Sequence, residues 1–410
     1  MPVKAHIRAF GCTLNQGESM ELSEMLLKSG VEIVGEKEKA HILVIHTCVV
    51  VDTTVREMVR EIKSGASFHD QVHVFGCLPP TLPHLVEDES RVFLWHFGQE
   101  SLFLKSIGAR GHPLPLPRAT NSLTAPLPIA SGCIGSCSYC LTRRARGRLI
   151  SRTRREVVSR LEDLHARGFR EFRLTAQDTG CYGCDSGDSL VLLLEEILQN
   201  PRDFMIRTGM MNPNGLAQFA HKYKSLLKDP KMYRFLHLPV QSGADTMLER
   251  MNRGYLNKDV VRLVQFIKEE HGDLTLSTDV IVGHPGESED DVQATMNLLE
   301  KLSPGIVNVT RFSPRPGTKS AIMQDQIAGP VMKRRSREMA NFSNSVTKNF
   351  LESQQGRELF AFTIRKEKDK VVGRTENYLV VHLDSDVALG KRFQVRLETL
   401  DGIAFKGVLI

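Results

Sequence analysis

The sequence predicts an α/β protein in three parts: an N-terminal doubly wound α/β domain, a central partial (β/α)6 barrel, and a small C-terminal antiparallel β-barrel. Three observations predict it. Short apolar runs alternate with segments of helical periodicity through most of the 410 residues. A proline-dense stretch interrupts that alternation once, near residue 110. The final segment, residues 346–410, changes to β-rich runs broken by Gly and Asp.

The runs HIRAF (6–10), HILVIHT (41–47) and VHVF (72–75) read as buried parallel strands. Between them, ESMELSEMLLKSG and VDTTVREMVREIKSG carry apolar residues at helical spacing, and each stops at a glycine. Residues 1–110 are therefore expected to be the first domain. Pro113, Pro115, Pro117, Pro126 and Pro128 follow within twenty positions, 109–128. No helix or sheet interior tolerates that density, so 111–125 is expected to be an extended linker. Six further strands are expected in residues 126–345: LPIAS, FREFRLTA, MIRTGMM, FLHLPV, LTLSTDVIV and IVNVTRF, with amphipathic helices between them. In such a barrel, chemistry lies at the C-terminal strand ends.

Hydrophobic residues at 41% and charged residues at 25% exclude a mostly disordered chain. No run approaches the roughly 20 apolar residues of a membrane span. MPVKAHIRAFGC lacks the apolar core of a signal peptide. A soluble, cytoplasmic protein without a membrane partner is expected. The formal charge of +6 is too small to argue a polyanion partner, which must come from local clusters. Eight cysteines are too sparse for a disulfide scaffold and point instead to metal binding or catalysis.

Cys133, Cys137 and Cys140 lie in SGCIGSCSYC, spaced C-x3-C-x2-C, just after the first barrel strand. Three thiolates on one tight loop can hold three irons of a 4Fe–4S cluster and leave the fourth iron open. A zinc knuckle short of one ligand, or incidental thiols, are the blander alternatives. Cys12, Cys48 and Cys77 each follow a strand of the first domain. If those strands are parallel neighbours, their ends gather three thiols, with Gly11 and Gly76 allowing tight turns. Three buried core thiols would be the alternative.

At the C-x3-C-x2-C loop the sequence resembles the radical S-adenosylmethionine (SAM) superfamily, with Tyr139 as the aromatic residue just before the third cysteine. With both triads it resembles the methylthiotransferase family over nearly the whole chain. Further matching stretches are LTAQDTGCYG (174–183), HLPVQSGADTMLERMNRGY (237–255), TDVIVGHPGE (278–287), RFSPRPGT (311–318) and the TRAM-like GRTENYLVV (373–381). The resemblance implies a radical SAM barrel, a TRAM RNA-binding barrel, SAM and two 4Fe–4S clusters. One cluster, on Cys133, Cys137 and Cys140, makes a deoxyadenosyl radical from SAM. The other, on Cys12, Cys48 and Cys77, holds the sulfur to be inserted. An external electron donor and a sulfur source are implied too. Gln177 and Asp178, Gln241 and Ser242, Thr278 and Asp279, and Arg315 follow expected strands and are candidates to face SAM and substrate. Helix caps and loop hydrogen bonds are their other reading.

The segment LTRRARGRLISRTRREVVSR (141–160) has eight arginines against one acid, Glu156. That excess suits phosphate contacts on a folded RNA, with Arg143, Arg144, Arg146, Arg148 and, in the last domain, Arg374 as candidates. KRRSR (333–337) is a second basic patch. The arginine run resembles the archaeal and eukaryotic branch of the family. That branch implies a tRNA substrate, not DNA: N6-threonylcarbamoyladenosine beside the anticodon, converted to its 2-methylthio derivative. LTAQDT resembles the branch that modifies a ribosomal-protein aspartate, which is the alternative. A non-catalytic iron–sulfur or zinc RNA-binding protein is the alternative of another class. The chain departs from the family pattern at His46 (usually Asn), Glu18 (usually Asp) and His284 (commonly Phe), and at the extra pair Cys181 and Cys184.

Overall fold

The computed structural model describes residues 3–109, 111–367, 370–384 and 387–410; the domain boundary expected at residue 110 falls outside them. The chain gathers into two compact units that are not consecutive stretches. One holds Met1–Arg118, Pro126–Gly135 and Leu141–Ile150; the other holds Ala119–Ala125, Ser136–Cys140 and Ser151–Ile410.

The first unit is built on a five-stranded, wholly parallel sheet. In spatial order its strands are Glu32–Ile33, Lys4–Ala9, Ile42–Thr47, Gln71–Gly76 and Val92–Leu94. Side chains alternate between its faces, and both are covered. Leu43, Ile45, Val72 and Val74 pack with Val55, Met58 and Ile62 of the helix Asp52–Phe68. Ile42, Val44 and Phe75 pack on the other side with Leu22 and Leu26 of the helix Thr13–Lys28 and with Phe103. Burial on both faces explains why HILVIHT is a continuous apolar run rather than an alternating one. Each fully buried aliphatic side chain here stabilises the unit by about 1.5–3 kcal/mol. The two edge strands have only two and three residues, too few for a period to show in sequence.

In the second unit, Glu171–Thr175 pairs in parallel with Met205–Arg207, and Leu123 at the foot of the strand Thr124–Pro128 accepts hydrogen bonds from Arg170 and Glu171. A second sheet sets Phe235–His237, Thr275–Val282 and Ile306–Arg311 side by side, again parallel. The six expected barrel strands are all present, but several are shorter than their apolar runs. MIRTGMM is a strand only over Met205–Arg207, because Met210 and Met211 leave the ladder to bond Thr179 and His237. Two helices of this unit start at side-chain caps. Thr153 with Glu156, and Ser288 with Asp291, form reciprocal capping boxes.

The C-terminal strands Glu358–Glu367, Lys370–Thr375, Val380–Leu383, Ala404–Leu409 and Arg392–Asp401 close a five-stranded barrel. The sequence suggests an antiparallel barrel, and one pair corrects that: Val380–Leu383 and Ala404–Leu409 run parallel. A closed ring with an odd number of strands cannot alternate direction throughout, so one parallel pair is unavoidable. The helix Gly329–Glu352 runs across residue 346, and the first barrel strand starts at Glu358. No helix among the described residues is long and apolar enough to cross a membrane.

Candidate active site

Cys12, Cys48 and Cys77 follow the ends of Lys4–Ala9, Ile42–Thr47 and Gln71–Gly76, which are adjacent and parallel. Their thiols are close enough that Cys12 and Cys48 both act electrostatically on Cys77. The approach depends on two glycines with positive φ. A Cβ on Gly11 (φ +89°) would lie 2.7 Å from Cys48 Sγ, and one on Gly76 (φ +89°) would lie 2.5 Å from the Thr47 carbonyl. Any side chain at Gly11 would fill the space beside the thiol.

Hydrogen bonds tie the three loops together. Thr47 Oγ1 donates to the Phe75 carbonyl (2.5 Å) and accepts from the Leu78 N–H (3.0 Å), while the Cys77 N–H donates to the Thr47 carbonyl (3.0 Å). Fully buried Asn15 donates to the carbonyls of Phe10 and Thr47, both at 2.8 Å. Burial pushes the Cys77 thiol up to about 11, although Arg146 pulls it down. His46 is buried against Phe75, and burial together with the Arg146 charge holds it neutral, with a pKa of about 3.

On the C-x3-C-x2-C loop, donors already point at sulfur. The Gly135 N–H donates to Cys133 Sγ at 3.2 Å within the first unit. In the second unit, Arg253 Nη1 donates to Cys137 Sγ at 3.2 Å. Arg253 is itself fixed by Tyr255 Oη (2.8 Å) and the Pro239 carbonyl (3.0 Å). Ser138 donates to the Arg250 carbonyl (2.8 Å) and accepts from Ser320 (2.8 Å), which also bonds His284 Nε2 (2.8 Å). His284 therefore fills its buried site as a polar strut under the cysteine loop, where an apolar ring would leave Ser320 one partner short. Burial raises the Tyr139 phenol well above its ordinary range, against the pull of Arg253.

The gathered thiols and glycine cradle of the first unit, and the N–H donors at Cys133 and Cys137, are features that iron–sulfur ligation uses. Among the described residues, no three His, Cys, Asp or Glu side chains converge as one metal ion requires.

The other candidates separate. Gln177 Oε1 is buried with no hydrogen-bond partner. Asp279 accepts from His237 Nε2 (2.7 Å) and Asn308 Nδ2 (2.8 Å); burial would raise its pKa, but these bonds hold it below the ordinary carboxylate range. Gln241 has φ +71°, and its backbone bonds Asp279 and Ile281. Arg315 is buried, with its carbonyl accepting from Thr318. Three other expected cofactor contacts make hydrogen bonds within the protein. Thr278 is fully buried, bonding Leu238 and Val240; Ser242 accepts from the Ala244 N–H; Asp178 accepts from Gly180 and Asn212. Cys181 lies buried against Asp178 Oδ2, and Cys184 is exposed.

Arg143, Arg144 and Arg148 are exposed. The other two expected RNA contacts, Arg146 and Arg374, are placed differently. Arg146 is buried. Arg374 turns inward over Tyr378 and towards the fully buried Glu171, because that carboxylate needs cations around it. In KRRSR, Arg334 and Arg335 are taken up by Glu287, Glu289 and Glu338. Sequence reasoning passed over Asn15, Thr47, Arg253 and Ser320. Only the matching stretch 237–255 hinted at one of them, Arg253.

Residues 127–299 match the radical SAM superfamily, and residues 4–97 match a family described as uncharacterized, UPF0004. A probable threonylcarbamoyladenosine tRNA methylthiotransferase of Pyrococcus horikoshii is 38% identical over 82% of this chain and 82% of that protein. The chain belongs to this methylthiotransferase family. The namesake of Methanocaldococcus jannaschii is 32% identical over 100% of this chain and 98% of its own, and that of Drosophila melanogaster is 32% identical over 99% and 78%. Among solved structures, the radical SAM methyltransferase TsrM of Kitasatospora setae, with cobalamin and a [4Fe-4S] cluster bound, shares the fold at TM-score 0.58 and 14% identity, over 78% of this chain and 77% of that one.

Proposed function

We propose that the protein is a radical SAM methylthiotransferase that converts N6-threonylcarbamoyladenosine beside the tRNA anticodon to its 2-methylthio derivative. Cys133, Cys137 and Cys140 hold the 4Fe–4S cluster that binds SAM, and Cys12, Cys48 and Cys77 hold a second. An external electron donor and a sulfur source complete the reaction. The observation that carries this reading is the gathering of Cys12, Cys48 and Cys77 at three adjacent parallel strand ends, in a chain related along its length to tRNA methylthiotransferases.

An aromatic adenine C–H offers neither an acidic proton nor a leaving group, so side-chain acid–base catalysis has little purchase on it. Bound at its cysteines, the radical SAM cluster supplies the electron that cleaves SAM to a hydrogen-abstracting radical. The chain's own part is to hold and shield. Arg253 and the Gly135 N–H steady the sulfurs, and Ser138, Ser320 and His284 brace the loop. Gln177 offers a buried acceptor beside the strand Glu171–Thr175. His237, held by Asp279, offers a fixed ring for orienting a base. Arg143, Arg144 and Arg148 offer phosphate contacts on the tRNA.

The test is anaerobic incubation with SAM, reductant, sulfide and tRNA carrying N6-threonylcarbamoyladenosine, followed by nucleoside mass spectrometry. A methylthio gain on that nucleoside is expected. Unchanged tRNA with a modified ribosomal-protein aspartate would reverse the choice of substrate.

A further inference from the structure

Arg146 belongs to an arginine-rich segment whose charge suggests a solvent-facing surface, yet its side chain is 1% exposed. Its guanidinium is bound on several sides. Nη1 donates to Glu18 Oε1 at 2.5 Å and to Ser131 Oγ at 3.4 Å. Nη2 donates to Glu18 Oε2 at 2.9 Å and to Asn15 Oδ1 at 2.5 Å. The guanidinium carbon lies 4.5 Å from the Phe97 ring centroid, and the Arg146 charge acts on the Cys77 thiol. A buried cation costs several kcal/mol unless it is paired with good geometry. The two-point contact with Glu18 meets that need and leaves the guanidinium no freedom to swing away.

The placement reaches all three thiol loops. The guanidinium's charge acts on Cys77. The Asn15 amide that accepts from Arg146 donates in turn to the Phe10 carbonyl, two residues before Cys12, and to the Thr47 carbonyl, next to Cys48. One guanidinium thus bears on one sulfur through its charge and, through a single hydrogen-bonded amide, on the backbone that sets the other two. Three cysteines that deprotonate to bind iron place several negative charges here, and the potential of an iron–sulfur centre follows net charge and hydrogen bonds to sulfur. Partners that orient metal ligands also govern how firmly the metal is held.

We propose that Arg146, locked by Glu18, is a positioning residue for the N-terminal iron–sulfur centre, acting on the Cys77 sulfur through its charge and fixing both the potential and the retention of that centre. This rests on the reading that Cys12, Cys48 and Cys77 hold a cluster. It gives Arg146 a role separate from its exposed neighbours Arg143, Arg144 and Arg148.

The experiment uses the full chain with Cys133, Cys137 and Cys140 all changed to Ala, so that the N-terminal thiols are the only cluster site. Arg146, Arg146→Lys and Arg146→Met versions are reconstituted anaerobically with iron and sulfide. Iron is counted, the centre is titrated by electron paramagnetic resonance, and iron loss to a chelator is timed. With Arg146 in place, about four irons per chain are expected. Arg146→Met should reduce at a lower potential and lose iron about 10–100-fold faster. Arg146→Lys, which keeps the charge but not the fork, should fall between. Trp95 emission reports whether each version folds; if Arg146→Met does not, Arg146→Lys alone carries the comparison and must still lose iron faster. Equal potential and equal retention in all folded versions would overturn the role of Arg146. A parent chain that takes up no iron with Arg146 intact would instead overturn the cluster reading beneath it.

Discussion

Replacing Thr47 by Val tests how the N-terminal thiol loops are held. The two side chains are nearly isosteric, so the fully buried pocket stays filled and only hydrogen bonding changes. Two bonds vanish: the donation to the Phe75 carbonyl at 2.5 Å and the acceptance from the Leu78 N–H at 3.0 Å. A buried N–H left without a partner costs about 1–3 kcal/mol. With a urea slope of about 2 kcal/mol per M, a loss near 2 kcal/mol moves the midpoint by about 1 M. Trp95, the chain's single tryptophan, packs on Phe75 and Phe103, so its emission follows this sheet. The cluster-free Thr47→Val protein should unfold about 1 M earlier in urea. A midpoint within about 0.2 M of the parent, corresponding to under about 0.5 kcal/mol, would refute the claim that Thr47 joins the Cys48 and Cys77 loops.

Three further outcomes follow from the charges. Changing Arg143, Arg144 and Arg148 together to Ala should weaken tRNA binding and lower the salt slope of log K by about 2–3, measured by titration at several salt concentrations. Arg374→Ala should leave that slope unchanged and reduce stability by at least about 1 kcal/mol, because it takes one cation from buried Glu171; a lowered slope would return Arg374 to the RNA surface. Acid should loosen the first unit through His73. Its Nδ1 accepts from Trp95 Nε1–H and its Nε2–H donates to Gln71, so the neutral ring is required, and burial lowers its pKa from 6.5 to about 4. The unfolded chain therefore takes up the proton first. Stability is full above pH 6.5 and falls towards pH 4, by about 2 kcal/mol between pH 6.5 and 5. A His73→Phe variant should lose that share of the pH dependence in urea unfolding followed at Trp95.

The architecture was legible wherever a strand is buried on both faces and long enough to show a period. HILVIHT and LTLSTDVIV are found almost residue for residue as Ile42–Thr47 and Thr275–Val282. The strands Glu32–Ile33 and Val92–Leu94 were not legible, since two or three residues carry no pattern. The thiols of the N-terminal unit could be brought together from sequence because strand ends are topological landmarks. Arg146 and Arg374 could not be separated from their neighbours, because a charge count says nothing of which arginine meets a buried carboxylate. Polar struts such as His284 to Ser320 to Ser138 join positions up to 182 residues apart, a separation that local pattern cannot bridge.

The most direct measurement compares two full-length proteins under anaerobic turnover, one with Cys133, Cys137 and Cys140 changed to Ala and one with Cys12, Cys48 and Cys77 changed to Ala. Deoxyadenosine and methylthiolated nucleoside are quantified together. The first protein should release no deoxyadenosine. The second should still release it while transferring no sulfur to tRNA. Deoxyadenosine release by the first protein, or methylthiolation by the second, would contradict the division of labour between the two sets of thiols.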